Sequence, residues 1–454
     1  MIPNSRLLQQ FDVNGPRYTS YPTANQFKDI SNLKNKTIEN LISAKNSMQS
    51  QNFSLYIHIP FCKNICFYCA CNKIITRDQS VENEYIRHLY LEIDQYHHHL
   101  GKLQISNIHF GGGTPTFISD DKLSNILDYI KSKFNTEYIR EISIEIDPRT
   151  VSSDRLLRLK NIGFNRISFG VQDFDDNVQK AVNRIQSFDE IKALVKKAKD
   201  LDYASTNIDL IYGLPMQNID SFKVTLSRVL SLMPERIALY SYAHLPHLFK
   251  SQIQIQKHKL PNASDKILML RMAITELLNT GYHYIGMDHF ALAHDSLSIA
   301  KSQQRLFRNF QGYTDKNELN LIPLGVSSIG QVGGYYFQNA KNLDEYYQML
   351  DSSILPIKKE LQMNFDDTIR RAVIMEVMCH GYVEFKFIED MFLIKFNEYF
   401  SSELLKLKEI QSTVVRVGKN KISLGKYGWY FVRVIAMIFD KYLDRSKYSF
   451  SKAI

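Results

Sequence analysis

Four of the chain's five cysteines lie within ten residues, and this cluster constrains the fold and the chemistry more than any other feature. Cys62, Cys66 and Cys69 have the spacing C-x3-C-x2-C, and Cys71 follows after one more residue, whereas Cys379 is remote. Thiolates are soft ligands that suit iron–sulfur clusters and zinc. A [4Fe–4S] cube usually takes four cysteines. One short loop would have difficulty seating both Cys69 and Cys71 on separate corners, so we expect three protein ligands and one open iron.

Two other uses of clustered cysteines stay open as alternatives at this point. A disulfide framework needs an oxidising compartment, and residues 1–6 show no signal-peptide pattern. A structural zinc site usually draws its four ligands from two separated pairs and not from one ten-residue loop. An iron–sulfur cluster therefore fits the spacing better than either alternative. Cys379 lies in an apolar run, and we expect it to be an ordinary buried residue.

The composition is that of a globular chain. Its 454 residues suffice for one large barrel-like domain and a smaller one. Hydrophobic residues make up 44% and charged residues 23% of the chain, and no run of twenty apolar residues occurs. We therefore expect a cytoplasmic protein without a membrane partner, in the reducing compartment that an iron–sulfur cluster needs. The net charge of +9 does not choose among nucleic acid, acidic lipids, acidic substrates and an acidic protein partner.

Strand-like and helix-like runs alternate along most of the chain. Helical periodicity is seen, for example, in Leu123, Ile126, Leu127, Ile130 and Phe134. Alternation of this kind is typical of repeated β-α units on a parallel sheet, and it predicts an α/β fold with a partial (β/α)6 TIM-type barrel over residues 51–365. The strand predictions are 55–60, 106–110, 141–147, 166–171, 206–212, 236–243 and 282–287.

Two regions flank the predicted barrel. In residues 1–50, Pro16 and Pro22 favour an extended N-terminal arm, which we expect to close on the active site. Residues 366–454 show helical runs, then two short strand-like runs at 412–417 and 421–424, and a last helix, which is typical of a mostly helical, winged-helix-like domain. The basic charge of this region is compatible with nucleic acid, but many such domains bind none, and we expect no nucleic-acid partner.

Polar residues recur where the predicted barrel strands end, which is where such barrels hold their chemistry. Glycines 111–113 lack Cβ atoms, so their backbone can approach a charged ligand closely. Glu145 and Asp209 stand in apolar strands, where a buried carboxylate needs partners. We expect these groups to face one opening of the barrel. The residues concerned are Tyr56, Gly112, Gly113, Thr114, Glu145, Gln172, Asp209 and Ala243.

The chain resembles the radical S-adenosylmethionine (radical SAM) superfamily in its three-cysteine spacing after an apolar strand. Within that superfamily it resembles the oxygen-independent coproporphyrinogen III oxidase (dehydrogenase) family over nearly its whole length. The motifs that carry this second resemblance are residues 16–24 (PRYTSYPTA), the cysteine loop ending in Cys71-Asn-Lys73, and residues 109–116, 182–186, 209–215, 242–246, 286–291 and 308–314.

The resemblance implies one [4Fe–4S] cluster, held by Cys62, Cys66 and Cys69, and two molecules of S-adenosyl-L-methionine (SAM). It also implies that Cys71, Tyr56 and Glu145 are catalytic, with Cys71 needed for activity although it does not ligate the cluster. The positions matching those around the cluster-bound SAM are Tyr56, Gly112, Glu145, Ala243 and Ile329. The positions matching those around the second SAM are Gly113, Thr114, Gln172, Arg184 and Asp209, with Tyr68 as an aromatic neighbour.

The activity implied is anaerobic oxidative decarboxylation of the ring A and B propionates of coproporphyrinogen III to vinyl groups, giving protoporphyrinogen IX in haem biosynthesis. A 5′-deoxyadenosyl radical from SAM would start each reaction. The resemblance further implies a monomer that receives electrons from a flavodoxin- or ferredoxin-like donor. Because the substrate carries four carboxylates, we expect basic partners, with Arg17 as a candidate.

Two alternatives to this activity follow from the sequence. The haem-chaperone branch of the family shares the barrel but lacks the fourth cysteine and the N-terminal arm, both of which are present here. A winged-helix nucleic-acid or porphyrin-binding protein without turnover would leave Glu145, Arg184 and Asp209 unexplained. The sequence therefore favours the enzyme.

Overall fold

The structure is a computed structural model, and it describes residues 2–30, 35–47, 52–315, 320–443, 450 and 452. Its helices are α1 (Ser5–Gln10), α2 (Asn35–Asn46), α3 (Val81–Leu100), α4 (Asp120–Lys133), α5 (Ser153–Ile162), α6 (Asp176–Ala181), α7 (Phe188–Asp200), α8 (Ile219–Leu232), α9 (Ala263–Asn279), α10 (Ser296–Ser302), α11 (Leu343–Asp351), α12 (Phe365–Cys379), α13 (Phe385–Phe392), α14 (Phe396–Tyr399), α15 (Ser401–Lys408) and α16 (Val432–Ile438).

The strands number twenty in the described residues. They are β1 (Lys28–Asp29), β2 (Asn52–Ile59), β3 (Phe61–Cys62), β4 (Ile74–Ile75), β5 (Gln104–Gly112), β6 (Glu141–Ile146), β7 (Arg166–Gln172), β8 (Ser205–Tyr212), β9 (Arg236–Ser241), β10 (Tyr282–Gly286), β11 (His289–Leu292), β12 (Phe307–Asn309), β13 (Gly312–Thr314), β14 (Asn320–Leu324), β15 (Ile329–Val332), β16 (Tyr335–Asn339), β17 (Ile357–Gln362), β18 (Tyr382–Glu384), β19 (Val415–Val417) and β20 (Lys421–Leu424).

Six parallel strands form the barrel wall, in the order β2-β5-β6-β7-β8-β9. Each overlaps one of the first six predicted strands, so the predicted (β/α)6 arrangement is confirmed. Helices α3, α4, α5, α7 and α8 lie in the connections between successive strands. Parallel neighbours need such crossovers, because a two-residue turn cannot return the chain to the same edge of the sheet.

The two faces of the barrel strands differ in polarity. Along β7, Ile167, Phe169 and Val171 are buried, whereas Arg166 and Ser168 line an internal cavity. Successive side chains of a strand point to opposite faces, so this alternation puts the apolar set under the helices and the polar set inside the barrel. The same period recurs on two neighbouring strands, in Glu141, Ser143 and Glu145 of β6 and in Ser205, Asn207 and Asp209 of β8. The barrel interior is therefore a polar chamber rather than a packed core.

Antiparallel strands extend the sheet at both edges to thirteen strands, which the sequence did not predict. Strand β10 matches the seventh predicted strand, but it pairs antiparallel with β11, which pairs antiparallel with β9. At the other edge β14 runs parallel to β2, and β15, β16 and β17 follow in antiparallel order. Antiparallel neighbours need only a short turn, so they lack the helix-length spacing by which β-α units are recognised.

The predicted arm is built into the interior. The backbone of residues 12–23 contains no helix, as Pro16 and Pro22 predict, while α1 and α2 lie on either side of this stretch. Leu8, Tyr18 and Tyr21 are buried in one hydrophobic cluster with apolar residues of α12 and α16. The arm thus helps form the core between the barrel and the C-terminal region. The boundaries 1–50, 51–365 and 366–454 stay a prediction.

Two buried arginines hold the extended part of the arm. Arg433 donates to the backbone carbonyls of Gly15 and Pro16, the latter at 3.0 Å. Arg308 donates to the carbonyls of Arg17, at 3.3 Å, and Tyr18, at 3.2 Å. A buried extended segment without a neighbouring strand leaves its carbonyls in need of donors, and the two guanidinium groups supply them.

The C-terminal region contains the predicted helices and hairpin. Helices α12 to α16 pack around a small antiparallel sheet in the order β18-β20-β19. Cys379 ends α12 and is buried, as expected of an ordinary core cysteine. None of the described helices is both long enough and apolar enough to cross a membrane.

Replacing Arg433 by Ala is expected to loosen the arm, because it leaves the buried carbonyls of Gly15 and Pro16 without donors. The loss is about 2–4 kcal/mol in the free energy that holds the arm down. Trypsin should then cleave the native protein after Arg17 at least about tenfold faster. The exposed Arg416, which donates to the Ser412 carbonyl at 3.3 Å, is the matched control, and R416A should be cleaved at the wild-type rate. Equal rates for R433A and wild type would contradict this role.

Candidate active site

The cysteine loop leaves the carboxyl end of β2, and neighbouring side chains contact two of its sulfurs. Cys62 and Cys66 are buried and Cys69 is half-buried. The Thr114 hydroxyl donates to Cys62 Sγ at 3.2 Å. Burial raises the pKa of the Cys62 thiol to about 11. The charges of Cys69 and Cys66 add to this rise, so the three thiols are neighbours at the end of the barrel where catalysis is expected.

Guanidinium groups surround the second cysteine. Arg184 Nη1 lies 3.4 Å and Arg149 Nη2 lies 3.5 Å from Cys66 Sγ. Arg184 is itself buried, and it also contacts Asp147, with Nη2 and Oδ1 3.3 Å apart. Although burial alone would raise it, Arg184 and Arg149 hold the pKa of the Asp147 carboxyl below its usual value. Two cations and one anion leave a net positive environment for an anionic sulfur.

These residues fit an iron–sulfur cluster. The three thiols are neighbours, and the backbone beside them approaches too closely for any residue but glycine, because a Cβ on Gly113 would lie 2.6 Å from the Pro60 carbonyl oxygen and 3.0 Å from Cys62 Sγ. Across the described ranges, no three His, Cys, Asp or Glu side chains converge closely enough to hold a single metal ion. A four-iron cube takes its thiolates on separate corners, and the C-x3-C-x2-C spacing of one short loop suits such a cluster.

Cys71 lies apart from the other three cysteines in its role. Its side chain is exposed, and its thiol donates to Cys69, which lowers the pKa of Cys69 to about 6. Lys73 supports this end of the loop by donating to the Cys69 carbonyl at 3.0 Å. The Cys71 thiol is therefore a direct neighbour of Cys69, the last of the three cysteines in the C-x3-C-x2-C spacing.

Glu145 lies where β5 and β6 end side by side. Its Oε2 accepts from the Gly112 backbone N–H at 3.2 Å, and its Oε1 lies 3.4 Å from His109 Nε2. His109 Nδ1 in turn lies 2.8 Å from the Ser143 hydroxyl. Gly112 has φ +114°, and a Cβ there would lie 2.7 Å from the His58 ring, so only glycine can bring this N–H to the carboxylate. The Glu145 carboxylate is thereby oriented at the cavity wall.

Tyr56 and His58 form a second fixed pair on β2. Tyr56 Oη lies 3.1 Å from His58 Nδ1, and His58 Nε2 lies 2.9 Å from the Asn72 carbonyl oxygen. Burial lowers the pKa of His58, so the neutral ring donates from Nε2 to Asn72 and accepts the Tyr56 hydroxyl at Nδ1. The Tyr56 ring also stacks on His109, with the ring centroids 5.9 Å apart. Tyr56 and Glu145 therefore belong to one connected group.

Asp209 is a buried carboxylate on the inner face of β8. Asn207 Nδ2 donates to its Oδ1 at 2.8 Å, and the Ser168 hydroxyl donates to its Oδ2 at 3.3 Å. Burial, reinforced by the charge of Glu145, raises the pKa of Asp209 to about 7. These neutral donors and the charge of Arg184 thus offset the burial of this carboxylate only in part.

The remaining predicted residues fall into two groups. Gln172 and Arg184 meet beside Gly170, where an added Cβ would lie 3.0 Å from Gln172 Nε2 and from Arg184 Nη2. Burial raises the pKa of the Tyr68 phenol, and the nearby charge of Arg184 opposes that rise. Ala243 lies beyond the end of β9 and is not among the residues that line the cavity. Tyr56, Glu145, Asp209 and Ile329 line the barrel cavity, whereas Tyr68, Gly112, Gly113, Thr114, Gln172 and Arg184 lie outside its lining, as Ala243 does.

A cavity of about 570 Å³ fills the barrel interior. Tyr56, Glu145, Asp209 and Ile329 line it, together with Thr19 and Ala24 of the arm, at the end nearer the cysteine loop and along its wall. At the opposite end, where β6, β7 and β9 begin, the lining includes Glu141, Arg166 and Arg236. This volume is in the range of small-molecule sites.

Arg17 does not line this cavity. It forms an ion pair with Asp288 and lies over the Tyr240 ring, 5.2 Å from its centroid. The side chain is thus engaged by the protein, and the expectation that it meets a ligand carboxylate has no support in this arrangement. Asp288, in the turn between β10 and β11, makes this contact, and a single sequence does not reveal the pairing.

Sequence reasoning missed several residues of the site. Asp147 and Arg149 follow the end of β6. They would have been found by the rule that such barrels hold their chemistry where the strands end. The inward period-two pattern of β6, β7 and β8 was also a usable signal, and it marks Arg166 and Asn207. His109 begins the motif at residues 109–116, but no pattern in the sequence indicated a role for it.

The class of protein follows from the barrel, its cysteine loop and the neighbouring cavity. The model of the radical SAM superfamily matches residues 56–229, which span the first five barrel strands and the cysteine loop.

Full-length relatives define the family more narrowly. An oxygen-independent coproporphyrinogen III oxidase of Pseudomonas aeruginosa is 42% identical, covering 99% of this chain and 98% of its own, and that of Escherichia coli K12 is 39% identical, covering 96% and 95%. The solved coproporphyrinogen III oxidase of Escherichia coli, described as a radical SAM enzyme, aligns with a TM-score of 0.90 and 38% identity over 97% of this chain and 99% of that one. The chain belongs to the oxygen-independent coproporphyrinogen III oxidase family.

The raised pKa of Asp209 predicts a stability effect that depends on pH. Between about pH 4, the ordinary value of an aspartate, and about pH 7, the folded protein keeps a proton that the unfolded chain has lost, so Asp209 lowers stability as pH rises through this window. In cluster-loaded protein without SAM, Asp209→Asn should therefore raise the thermal midpoint by about 2–4 °C near pH 8 and by much less near pH 5.

The measurement is thermal unfolding followed by circular dichroism at both pH values. Asp176→Asn, at an exposed position of α6, controls for the loss of a surface charge. A constant difference at both pH values, or a lower midpoint near pH 8, would contradict the burial of an ionisable Asp209.

Proposed function

We propose that this chain catalyses the anaerobic oxidative decarboxylation of the ring A and B propionates of coproporphyrinogen III, giving protoporphyrinogen IX. The observation that carries the proposal is the cysteine loop beside a polar chamber, in a chain similar along its whole length to coproporphyrinogen III oxidases. Cys62, Cys66 and Cys69 would hold one [4Fe–4S] cluster. When bound, the cluster and SAM supply an electron and a 5′-deoxyadenosyl radical, which takes a hydrogen atom from the propionate β-carbon.

The chain's own residues would position the reacting groups. The Glu145 carboxylate, oriented by the Gly112 N–H, is suited to a cationic amino group of the cluster-bound SAM, and Tyr56 and Ile329 would line the same pocket. Gly112 and Gly113 allow close approach of backbone to ligand. Ala243 keeps its assignment to this SAM on the family match alone.

A second SAM would be held by a different set of groups. Arg184 offers a guanidinium for a carboxylate, and Asp209 offers a carboxylate acceptor for hydroxyl groups. Gly113, Thr114, Gln172 and Tyr68 adjoin Arg184 or the cysteine loop and complete the assignment.

The chamber suits a tetrapyrrole with several carboxylates. Glu141 and Glu145 both line it and lie four residues apart on β6, so it is at least about 13 Å long. Two guanidinium groups line its far end, those of Arg166, which pairs with Glu141 at 3.1 Å, and of Arg236, which pairs with Asp295 at 2.9 Å. In the part of the chain that the structure describes, Nη1 of Arg166 is buried and has no hydrogen-bond partner. We assign this end to the substrate propionates that do not react.

The arm would form one wall of the closed site. Thr19 and Ala24 line the chamber, and the arginines that hold the arm keep this wall in place. A closed wall excludes water and oxygen from a reactive radical. On this basis we also propose the division into an arm (1–50), a barrel with its extension (51–365) and a C-terminal winged-helix-like domain (366–454).

The proposed setting follows from the chemistry. A thiolate-bound cluster needs a reducing compartment, so we place the enzyme in the cytoplasm, in haem biosynthesis. We propose a monomer that takes electrons from a flavodoxin- or ferredoxin-like protein, because the cluster must be reduced from outside.

Two substitutions distinguish the proposed cluster ligands from Cys71. Cys62→Ser should lose both the cluster and turnover, because two remaining thiols cannot hold the cube. Cys71→Ser should keep the broad visible absorbance of the cluster but lose turnover by at least about a hundredfold, because Cys71 acts in the reaction and not as a ligand. Anaerobic reconstitution, iron and sulfide analysis and porphyrin chromatography provide the measurements. A Cys71→Ser protein without cluster, or a Cys62→Ser protein with one, would overturn the assignment.

The role of Arg166 can be tested through substrate affinity. Arg166→Lys keeps a positive charge but loses the planar fork that binds a carboxylate with two hydrogen bonds, so the KM for coproporphyrinogen III should rise about tenfold. SAM cleavage without substrate should be unchanged, since Arg166 lies at the far end of the chamber. Arg140→Lys, exposed just before β6, is the matched control. An unchanged KM for R166K would remove Arg166 from the substrate site.

A further inference from the structure

We propose that the surface around the cysteine loop is the docking site for a small acidic electron-transfer protein, an inference that rests on the proposed function. We call it the basic face and define it by its exposed lysines and its exposed apolar side chains. The lysines are Lys63, Lys180, Lys250, Lys257 and Lys259, and the apolar residues are Ile185, Met216, Leu248 and Ile253.

The segments that carry the basic face pack against the cysteine loop. Asn183 Nδ2 donates to the Ile65 carbonyl at 2.7 Å, and the Phe67 N–H donates to the Val182 carbonyl at 3.0 Å. These two contacts join the segment with Lys180 and Ile185 to the loop.

A second set of contacts joins residues 248–260 to the other side of the loop. Gln252 Nε2 donates to the Tyr68 carbonyl at 3.1 Å, and the Ser251 hydroxyl donates to the Cys69 carbonyl at 2.9 Å. The Met216 N–H donates to the Lys259 carbonyl at 2.9 Å, so Met216 adjoins the same segment. The basic face is therefore one continuous surface with the loop at its centre.

The charge of these segments is of one sign. Residues 55–77, 177–188 and 242–264 contain no Asp or Glu, although the whole chain has 47. No carboxylate of the described residues pairs with the five lysines of the basic face. Their charges are thus available to a partner, and a cluster of like charges attracts and orients an acidic protein during its approach.

Apolar side chains lie exposed among these lysines. Ile185 is 64%, Ile253 65%, Leu248 56% and Met216 44% exposed. Large aliphatic side chains grouped on a surface and edged by charge mark a contact site for another protein. A small mixed surface of this kind suits a short-lived complex, as electron transfer requires.

The position of the loop decides which occupant we favour. Lys63 follows Cys62 directly and is exposed, so a protein seated here would approach the cysteine sulfurs closely. A second copy of this chain would bring like charges together, which disfavours self-association. An anionic lipid surface has the right charge but no use for proximity to the cluster. An acidic electron carrier accounts for the charge, the apolar residues and the location.

The test reverses the charge of three lysines of the basic face that are not among the cysteines proposed to hold the cluster. Lys250→Glu, Lys257→Glu and Lys259→Glu are combined in cluster-loaded, full-length protein, and reduction by an acidic flavodoxin is followed by the loss of cluster absorbance. At low salt the rate should fall at least about tenfold, and the difference should shrink at high salt. Reduction by photoreduced 5-deazariboflavin, a small uncharged reductant, should be unchanged. The control combines Lys408→Glu, Lys419→Glu and Lys421→Glu, exposed on the C-terminal domain, and should behave as wild type.

A second variant covers the case in which the triple variant does not fold. Ile253→Asn removes exposed apolar area only, and it should slow reduction by flavodoxin at every salt concentration while leaving reduction by deazariboflavin unchanged. Wild-type flavodoxin rates in both variants, or an equal loss in the control, would overturn the proposal. The face would be reassigned to lipid if the wild type and the control bound anionic phospholipid vesicles, the triple variant did not, and flavodoxin rates were unchanged. Absence of coproporphyrinogen turnover with deazariboflavin in the wild type would instead refute the proposed function.

Discussion

The buried charge array at Cys66 is the constraint on which the rest of the site depends. Arg184 and Arg149 both approach its sulfur. Asp147 contacts both guanidinium groups, but its single negative charge offsets only one of their two positive charges. Removing one member of a buried ionic group leaves an uncompensated charge, which is strongly destabilising. The array joins the cysteine loop to the ends of β6 and β7, so the thiols, the Glu145 group and the chamber keep fixed relative positions. Cluster binding and substrate binding thus share one set of supports.

The arm, which Arg433 of the C-terminal region holds in place, extends this rigidity to another part of the chamber wall. Arg308 and Arg433 satisfy four consecutive backbone carbonyls, those of residues 15–18, which directly precede Thr19. Because Thr19 lines the chamber, the same bonds that bury the arm also set a wall of the site. A reaction through a free radical needs such enclosure, and the fold provides it without a separate lid.

The sequence predicted the six barrel strands and the cysteine loop well, because both depend on local patterns: β-α alternation and ligand spacing. Strands β14, β15 and β16 were missed since their short connections leave no helical spacing, and β17 was missed although it follows α11. Within the site, Glu145 and Asp209 were found by their place in apolar strands. The engagement of Arg17 by Asp288, and the approach of Arg184 to Cys66, join residues 271 and 118 positions apart, which no local pattern encodes. Ala243 rests on the family match alone.

The central chemical claim is that a hydrogen atom passes from the substrate to the 5′-deoxyadenosyl radical formed from SAM. An isotope label measures this transfer directly. Coproporphyrinogen III carrying deuterium on the β-carbons of its propionates would be turned over anaerobically, and the 5′-deoxyadenosine formed would be analysed by mass spectrometry. We expect one deuterium in the deoxyadenosine for each vinyl group that appears in the product. Deoxyadenosine without deuterium, formed alongside protoporphyrinogen, would contradict the claim that this chain's radical attacks the propionate β-carbon.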